Sequence, residues 1–294
     1  VTTPDLRRLE QFVAAMEEPS LAAAAARLHL SQQALSAALR QLERELGTPL
    51  FTRSGRRLAP TAAARSLYDG APSVLSGARL LAARARAAGA ERPRVFVVGR
   101  SPAVTADEAY ELLEPLIAQE DSPSITVREL FPSAMVEELQ EGTVDLVLRR
   151  GVALPERLAG VTITYHRMRV ALHRDHPLAG RESLALADLA ASPIVVWAPP
   201  HASFYTDFLV AQCRRAGFEP DLLVNRVQGT PPATAVLTSP HAAAFVTDPA
   251  GPRFGGRVTV VELDDAPQVP VQALWLPHTV DPLRAALLAA YPPA

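Results

Sequence analysis

Residues 20–61, SLAAAAARLHLSQQALSAALRQLERELGTPLFTRSGRRLAPT, place a small-residue helix, a turn, a leucine-striped helix and an arginine-tipped hairpin in immediate succession. That order constrains the fold strongly, because it is how a protein pushes a helix into the DNA major groove. Ser31 stands where an N-cap belongs, and Leu35, Leu39, Leu42 and Leu46 recur at helical spacing and face a core. The other side carries Ser31, Gln32, Gln33, Ser36, Ala37 and Arg40, short or hydrogen-bonding groups near the helix N-terminus. Gln pairs bidentately with adenine, Ser with several bases, and Arg with guanine or phosphate. Alanines from Leu21 to Leu28 let the preceding helix cross closely, and His29 and Leu30 make the turn. Upstream, Thr3 and Pro4 read as the cap and first residue of a helix striped by Leu6, Leu9, Phe12, Val13 and Met16. Gly47 ends the reading helix, Pro49, Leu50 and Phe51 anchor an extended arm, and Arg53, Arg56 and Arg57 surround a Ser-Gly turn suited to gripping phosphates.

The run S-x-x-x-A-A-x-x-L-x-x-S-Q-x-A-L-S from Ser20 to Ser36, followed by Leu42, Glu43, Leu46, Gly47, Leu50, Phe51, Arg53 and Thr61, resembles the winged helix-turn-helix of LysR-type transcriptional regulators. Three later segments are similar to landmarks of that family's effector domain: HPLAG at His176–Gly180, LADLAASP at Leu186–Pro193 and RAGFEP at Arg215–Pro220. The resemblance implies a bacterial regulator with an N-terminal DNA reader, a dimerising linker helix and a two-lobed domain that senses a small molecule. It further implies pairs of dimers on an interrupted inverted repeat; nothing in the spacing separates homodimer from homotetramer. The chain departs from the family pattern at Gln33, where proline is frequent, and at Ala37, where a basic residue is common. Ser239, Pro240, His241 and Ala242 also replace a glycine-rich turn, so binding residues are not carried over from that segment.

The 294 residues and 48% hydrophobic content support two or three folding units. The net charge of -2 hides an asymmetry: 13 arginines face 8 acids through Arg92 (+5), and 16 face 23 beyond it (-7). A basic reader and an acidic remainder suit nucleic-acid binding by the N-terminal part alone. The single cysteine, Cys213, excludes an intrachain disulfide framework and fits a reducing cytoplasm, where it reads as a small packed residue. Asp5, Arg7, Arg8 and Glu10 interrupt any apolar run at the start, so no secretory segment is expected, and no stretch is long enough for a membrane span.

From Thr61 to about Ala88 the pattern is helical, and Leu67, Ala71, Val74, Ala78, Leu81 and Ala85 alternate intervals of four and three as a dimerisation seam. Pro72, with Gly70 and Gly77, predicts a kink or break near Asp69. Gly89–Pro93 form a boundary. The expected division is 1–60 winged helix-turn-helix, 61–92 linker and hinge, and 93–294 effector-binding domain.

Beyond it strands and helices alternate as in an α/β fold with a parallel sheet. Strands are expected at Arg94–Gly99, Ile125–Leu130, Val144–Arg149, Val161–Tyr165, Arg169–Leu172, Ile194–Trp197, Leu222–Arg226, Ala243–Val246, Val258–Leu263 and Val271–Leu276. Helices are expected at Ala106–Glu120, Ser133–Glu141, Leu186–Ala190, Phe204–Ala216 and Pro282–Tyr291. The whole is a multidomain α/β protein with a periplasmic-binding-protein-like pair of lobes, lobe I about 93–165 and 265–294 and lobe II about 166–264. Ligands collect at the carboxyl ends of parallel strands. The candidate effector rim there is Arg100, Ser101 and Pro102 after the first strand, Arg149 and Arg150, His201 and Ser203, and Gln228 and Thr230. Ser101 also reads as the cap of the following helix. The arginines favour an anionic effector such as a carboxylate.

HRDHP brings His173, Asp175 and His176 together, but Pro177 favours an extended residue before it and no further Cys/His cluster completes a metal site. No G-x-S-x-G elbow, phosphate loop or dinucleotide fingerprint is present. The expectation is a DNA-binding regulator, not an enzyme, without metal or cofactor. Two alternatives stay open: a constitutive DNA binder whose second half only assembles subunits, and a small-molecule-binding or transferase domain fused to a DNA reader.

Overall fold

A computed structural model describes residues 3–54, 57–89, 95–118, 124–151, 153–227 and 230–292. The chain divides into two compact units, one comprising Val1–Arg92 with Gln140–Gly142 and Leu276–Thr279, the other Pro93–Leu139, Thr143–Trp275 and Val280–Ala294. Among the described residues no helix is long and apolar enough to cross a membrane.

The first unit opens with α1 (Leu6–Glu17), α2 (Leu21–Arg27) and α3 (Gln32–Leu46). Asp5, not Thr3, caps α1, its side chain accepting from Arg7 N. A carboxylate reaches a first-turn N–H at its own position, and Pro4 therefore lies outside the helix instead of opening it. Ser20 caps α2 and Ser31 caps α3, and Gly47 closes α3 at φ 69°, a left-handed conformation that favours glycine. Phe12, Ala24, Leu35, Leu42 and Leu50 are fully buried where the three helices meet, with Leu46 partly buried against them. The hairpin β1 (Phe51–Ser54) and β2 (Arg57–Pro60) pairs Phe51 with Pro60 and Ser54 with Arg57. Thr61 then caps α4 (Ala62–Gly89). The expected break near Asp69 is absent: α4 runs on through Pro72. The proline deletes one backbone donor, but Ala71, Pro72, Ser73 and Leu75 are buried in the unit's core, and packing holds the turn.

The second unit holds β3 (Val95–Arg100), α5 (Ala106–Ile117), β4 (Ser124–Glu129), α6 (Met135–Glu141), β5 (Leu146–Arg150), β6 (Ala159–Arg167) and β7 (Arg169–His173). It continues through β8 (Ser183–Leu184), β9 (Ile194–Val196), α7 (Phe204–Arg215), β10 (Leu222–Val224), β11 (Ala243–Val246), β12 (Gly251–Arg253), β13 (Val258–Leu263), β14 (Gln268–Trp275) and α8 (Pro282–Ala290). Two sheets form, in the orders β4-β3-β5-β14-β6 and β10-β9-β11-β7-β13-β12, with β8 beside β13. Neither is purely parallel, which corrects the expectation. β3 pairs in parallel with β4 and β5, but β14 inserts antiparallel between β5 and β6, and β7 lies antiparallel to β11 and β13. Phe96, Leu113, Leu146 and Leu148 centre one core, and Val170, Leu172, Phe245 and Val261 another. The helix expected at Leu186–Ala190 is a 3-10 helix, Leu186–Ala191, and a further 3-10 helix, Pro232–Leu237, lies where the sequence pattern marks no element.

Candidate functional site

The candidate DNA-facing surface follows from the cap and the leucines. Ser31 Oγ accepts from Ala34 N at 3.1 Å, which fixes where α3 begins. With Leu35 and Leu39 turned into the core, Ser31, Gln32, Gln33, Ala37 and Arg40 are exposed and Ser36 is half-buried. Arg40 Nη1 donates to Ser36 Oγ at 2.9 Å, so the two outward polar groups are held one turn apart. The position of the hairpin is set by Glu43, a residue read only as part of the family motif: its Oε1 accepts from Leu50 N at 2.8 Å and Phe51 N at 3.1 Å. Thr61 Oγ1 ties the returning strand to Pro49 O at 2.9 Å. Arg53 and Arg57 stand on β1 and β2. Their side chains, and Arg56 altogether, lie outside the described residues.

The expected dimerisation seam divides in two. Leu67 and Ala71 pack on the core of their own unit, because the first turns of α4 are needed to close it. Val74, Leu81 and Ala85 are exposed and Ala78 half-exposed, so only this distal part is free for a partner helix.

The expected effector rim also divides, between two cavities in the second unit. One, of about 540 Å³, includes Ser101, Pro102, Arg149, Arg150 and Ser203 in its wall. The other, of about 750 Å³, includes Arg100, Pro102 and Thr230. His201 belongs to neither: it sits at φ 65° with its side chain 94% exposed, at a turn that directs it to solvent. Gln228 lies outside the described residues. Ser101 does not cap α5. Thr105 does, its Oγ1 accepting from Glu108 N at 3.1 Å while Glu108 Oε2 accepts from Thr105 N at 2.9 Å.

The smaller cavity has aromatic and aliphatic walls, Phe131, Met135, Trp197, Phe204 and Leu209 among them, none of which was anticipated. Two polar atoms there are buried without a partner, Ser101 Oγ and Arg149 Nε. An unsatisfied buried donor costs about 1–3 kcal/mol, so such atoms mark a place for a ligand or water. The larger cavity is bounded by Glu108, Glu129, Asp107, Glu111 and Asp248 as well as arginines. Arg100 is already paired with Glu129 at 3.2 Å and Arg169 with Glu262 at 2.6 Å.

Between the cavities Arg150 is fully buried against Glu108. Its guanidinium donates to Glu108 Oε1 at 2.5 Å and to Thr247 Oγ1 at 2.8 Å, and His166 Nδ1 lies 2.7 Å from the same carboxylate oxygen. Burial alone raises the Glu108 pKa, but the hydrogen bond from His166 and the attraction of Arg150 outweigh it and hold the group near 2. Glu108 was missed in the sequence; the T-x-x-E spacing of a capping box at Thr105 was its one visible signal.

The HRDHP segment is structural. His176 is buried; Nδ1 accepts from Leu178 N at 3.2 Å, leaving Nε2 to donate to Ser192 Oγ at 3.1 Å. Both ring nitrogens are thus engaged, and burial lowers the pKa. Among the described residues no group of three or more His, Cys, Asp or Glu side chains is placed to hold a metal ion.

Comparison with known proteins accounts for both parts of the chain. Residues 6–65 match the family described as bacterial regulatory helix-turn-helix protein, lysR family, and residues 89–291 match the LysR substrate binding domain. Similar curated proteins include the uncharacterized HTH-type transcriptional regulator YnfL of Escherichia coli (strain K12), 32% identical over 222 residues, 74% of this chain and 73% of that protein. The HTH-type transcriptional regulator AlsR of Bacillus subtilis (strain 168) is 29% identical over 279 residues, 92% of this chain and 89% of that protein. In fold, the chain is similar to full-length CbnR complexed with its target DNA, with a TM-score of 0.57 at 23% identity over 98% of this chain and 99% of that one. With both of its units accounted for in this way, the chain belongs to the LysR family of bacterial transcriptional regulators.

Proposed function

We propose that this LysR-family regulator binds promoter DNA through α3 and the hairpin, and that a small anionic effector held in the smaller cavity alters that binding. Gln32, Gln33, Ser36, Ala37 and Arg40 face the base edges, and Arg53, Arg56 and Arg57 hold phosphates. Two copies joined along the distal part of α4 match two half-sites, as a two-fold operator requires. CbnR, solved in complex with its target DNA, supports the DNA reading by likeness of fold.

The observation that carries the effector reading is the pair of buried, unpartnered atoms, Ser101 Oγ and Arg149 Nε, in one largely apolar cavity. Sites of this kind, apolar with a few convergent polar groups, are where small molecules bind.

A transcriptional fusion to the promoter nearest the protein's own gene tests it. Output is compared across carbon sources for the unaltered chain and for Ala202→Trp, which places an indole at the exposed rim of the cavity. Output that varies with growth condition in the first and is flat in the second is the expected result. Flat output from both chains across every condition identifies a constitutive DNA binder and sinks the effector reading, and variation that Ala202→Trp leaves unchanged rules this cavity out as the effector site.

A further inference from the structure

The charges around the smaller cavity are unevenly spent. Among its described lining residues there is no aspartate or glutamate and there are two arginines. Arg150 is neutralised by Glu108 and further occupied by Ala103 O at 3.2 Å and Thr247. Arg149 is not neutralised: its described partners are Gln272 Oε1 at 3.0 Å and the carbonyl of Ala153, both uncharged. Its Nε has no partner, and burial pushes its pKa down, which is the mark of a cation lacking its counter-ion. Among the described residues of this wall, one positive charge is therefore open.

Two further features point at the same anion. Ser101 is 5% exposed and its hydroxyl has no partner. At the α7 N-terminus, which supplies Ser203, Phe204, Tyr205 and Thr206 to the wall, the Ser203 side chain makes no capping bond, so first-turn amides are left to an incoming acceptor. The rest of the wall is mostly apolar, with Phe131, Met135 and Leu209, and beyond these it offers only the uncharged Ser133 hydroxyl and Trp197 indole N–H.

We infer that the effector is a monocarboxylate with a compact apolar body, its single charge paired with Arg149 and Ser101 and its body lodged against Met135, Trp197 and Leu209, while Arg150 stays bound to Glu108. This rests on the effector reading above and narrows it. A second carboxylate on the ligand would lie in an apolar wall with no free cation, and an unpaired buried charge is strongly disfavoured. A neutral amide of the same shape would leave the Arg149 charge uncompensated.

The test is calorimetric titration of the full-length chain with cyclohexanecarboxylate and hexanoate, their primary amides, and adipate. The two monocarboxylates are expected to bind, the amides and adipate to bind at least tenfold more weakly. Arg149→Gln is expected to lower monocarboxylate affinity roughly tenfold to a hundredfold, the usual worth of a charged hydrogen bond, with Arg149→Lys restoring part of it and Ser101→Ala costing about tenfold. Should Arg149→Gln fail to fold, the Arg149→Lys and Ser101→Ala titrations decide alone. Amides binding as tightly as acids, adipate binding more tightly, or indifference to all three substitutions overturns the charge assignment and leaves the cavity as the effector site. If none of the five compounds binds yet Ala202→Trp still flattens the promoter response, the class is wrong and the site right. If neither effect is found, both readings fall.

Discussion

Arg150 Nη2 and Glu108 Oε1 meet 2.5 Å apart with the arginine side chain fully buried, and the same guanidinium reaches Thr247 at the end of β11 on the other sheet. One buried ion pair thus joins α5 and β5 to the end of β11, where Thr247 lines the larger cavity. With Glu108 held near 2 against an ordinary 4.5, the unfolded chain binds its proton more tightly than the folded one. The pair's contribution is complete above about pH 4.5 and is lost as pH falls through about 2, amounting to about 3 kcal/mol by proton linkage. Glu108→Gln should remove that acid-side slope and, by leaving Arg150 unpaired, destabilise the second unit by about 3–5 kcal/mol at neutral pH. Urea unfolding at pH 3, 5 and 7 checks both. A variant as stable as the parent at pH 7 would show that the pair holds nothing together.

Elements whose causes are local could be read directly from the chain. Ser31, the four leucines and Gly47 fix α3 within itself, because cap, stripe and stop all lie within one helix. The strand pairing could not be read so, since β14 comes from residues 268–275 to sit between β5 and β6, and no local pattern specifies a partner more than a hundred residues away. The site shows the same contrast. Arg149 and Arg150 end a strand and Ser101 follows one, positions visible in sequence, whereas Phe131 reaches the cavity from the loop before Pro132 and Leu209 from α7, positions that no local pattern marks. His201 was misplaced because its positive φ, invisible in sequence, turns it outward.

Cys213 lies on the inner side of α7 with no exposed surface, and burial pushes its thiol up to about 11. The thiolate is the reactive species, so the folded protein should resist both alkylation and peroxide at neutral pH. Mass spectrometry of native protein treated with iodoacetamide, then of urea-unfolded protein, should show labelling only in the second. Rapid labelling of the native form would require an opening of the α7 core that the packing of Leu209 and Phe245 does not allow for.

On α4, Val74 is 41% and Leu81 65% exposed, seven residues apart and therefore on one side of the helix, just beyond the turns that serve the unit's own core. Leu81→Glu should weaken self-association at least tenfold while leaving the helix-turn-helix folded, because the residue contributes nothing to that core. Sedimentation velocity across a concentration series measures it. An unchanged oligomer distribution would place the principal interface elsewhere.

The exposed side of α3 and the hairpin arginines are proposed to act on DNA in different ways, and the difference is measurable. Gln32 stands in the first turn of α3, free of described side-chain bonds, where a bidentate contact to one adenine is worth about 1–3 kcal/mol of discrimination. Arg53, on β1, is assigned to phosphate, where it releases counterions without reading sequence. Gln32→Ala should therefore relax preference at one base pair and keep the salt dependence, while Arg53→Ala should weaken binding to every sequence and lower the slope of log affinity against log salt by about one. Arg40→Ala distinguishes a third case, because Ser36 holds its guanidinium in place: if Arg40 reads guanine, Ser36→Ala should blur the same base position. Mobility-shift titrations of the four variants on a set of single-base operator changes, at several salt concentrations, separate these roles. Identical profiles for Gln32→Ala and Arg53→Ala would mean that α3 and the hairpin are both mere phosphate clamps, and that the sequence reader lies in another part of the chain.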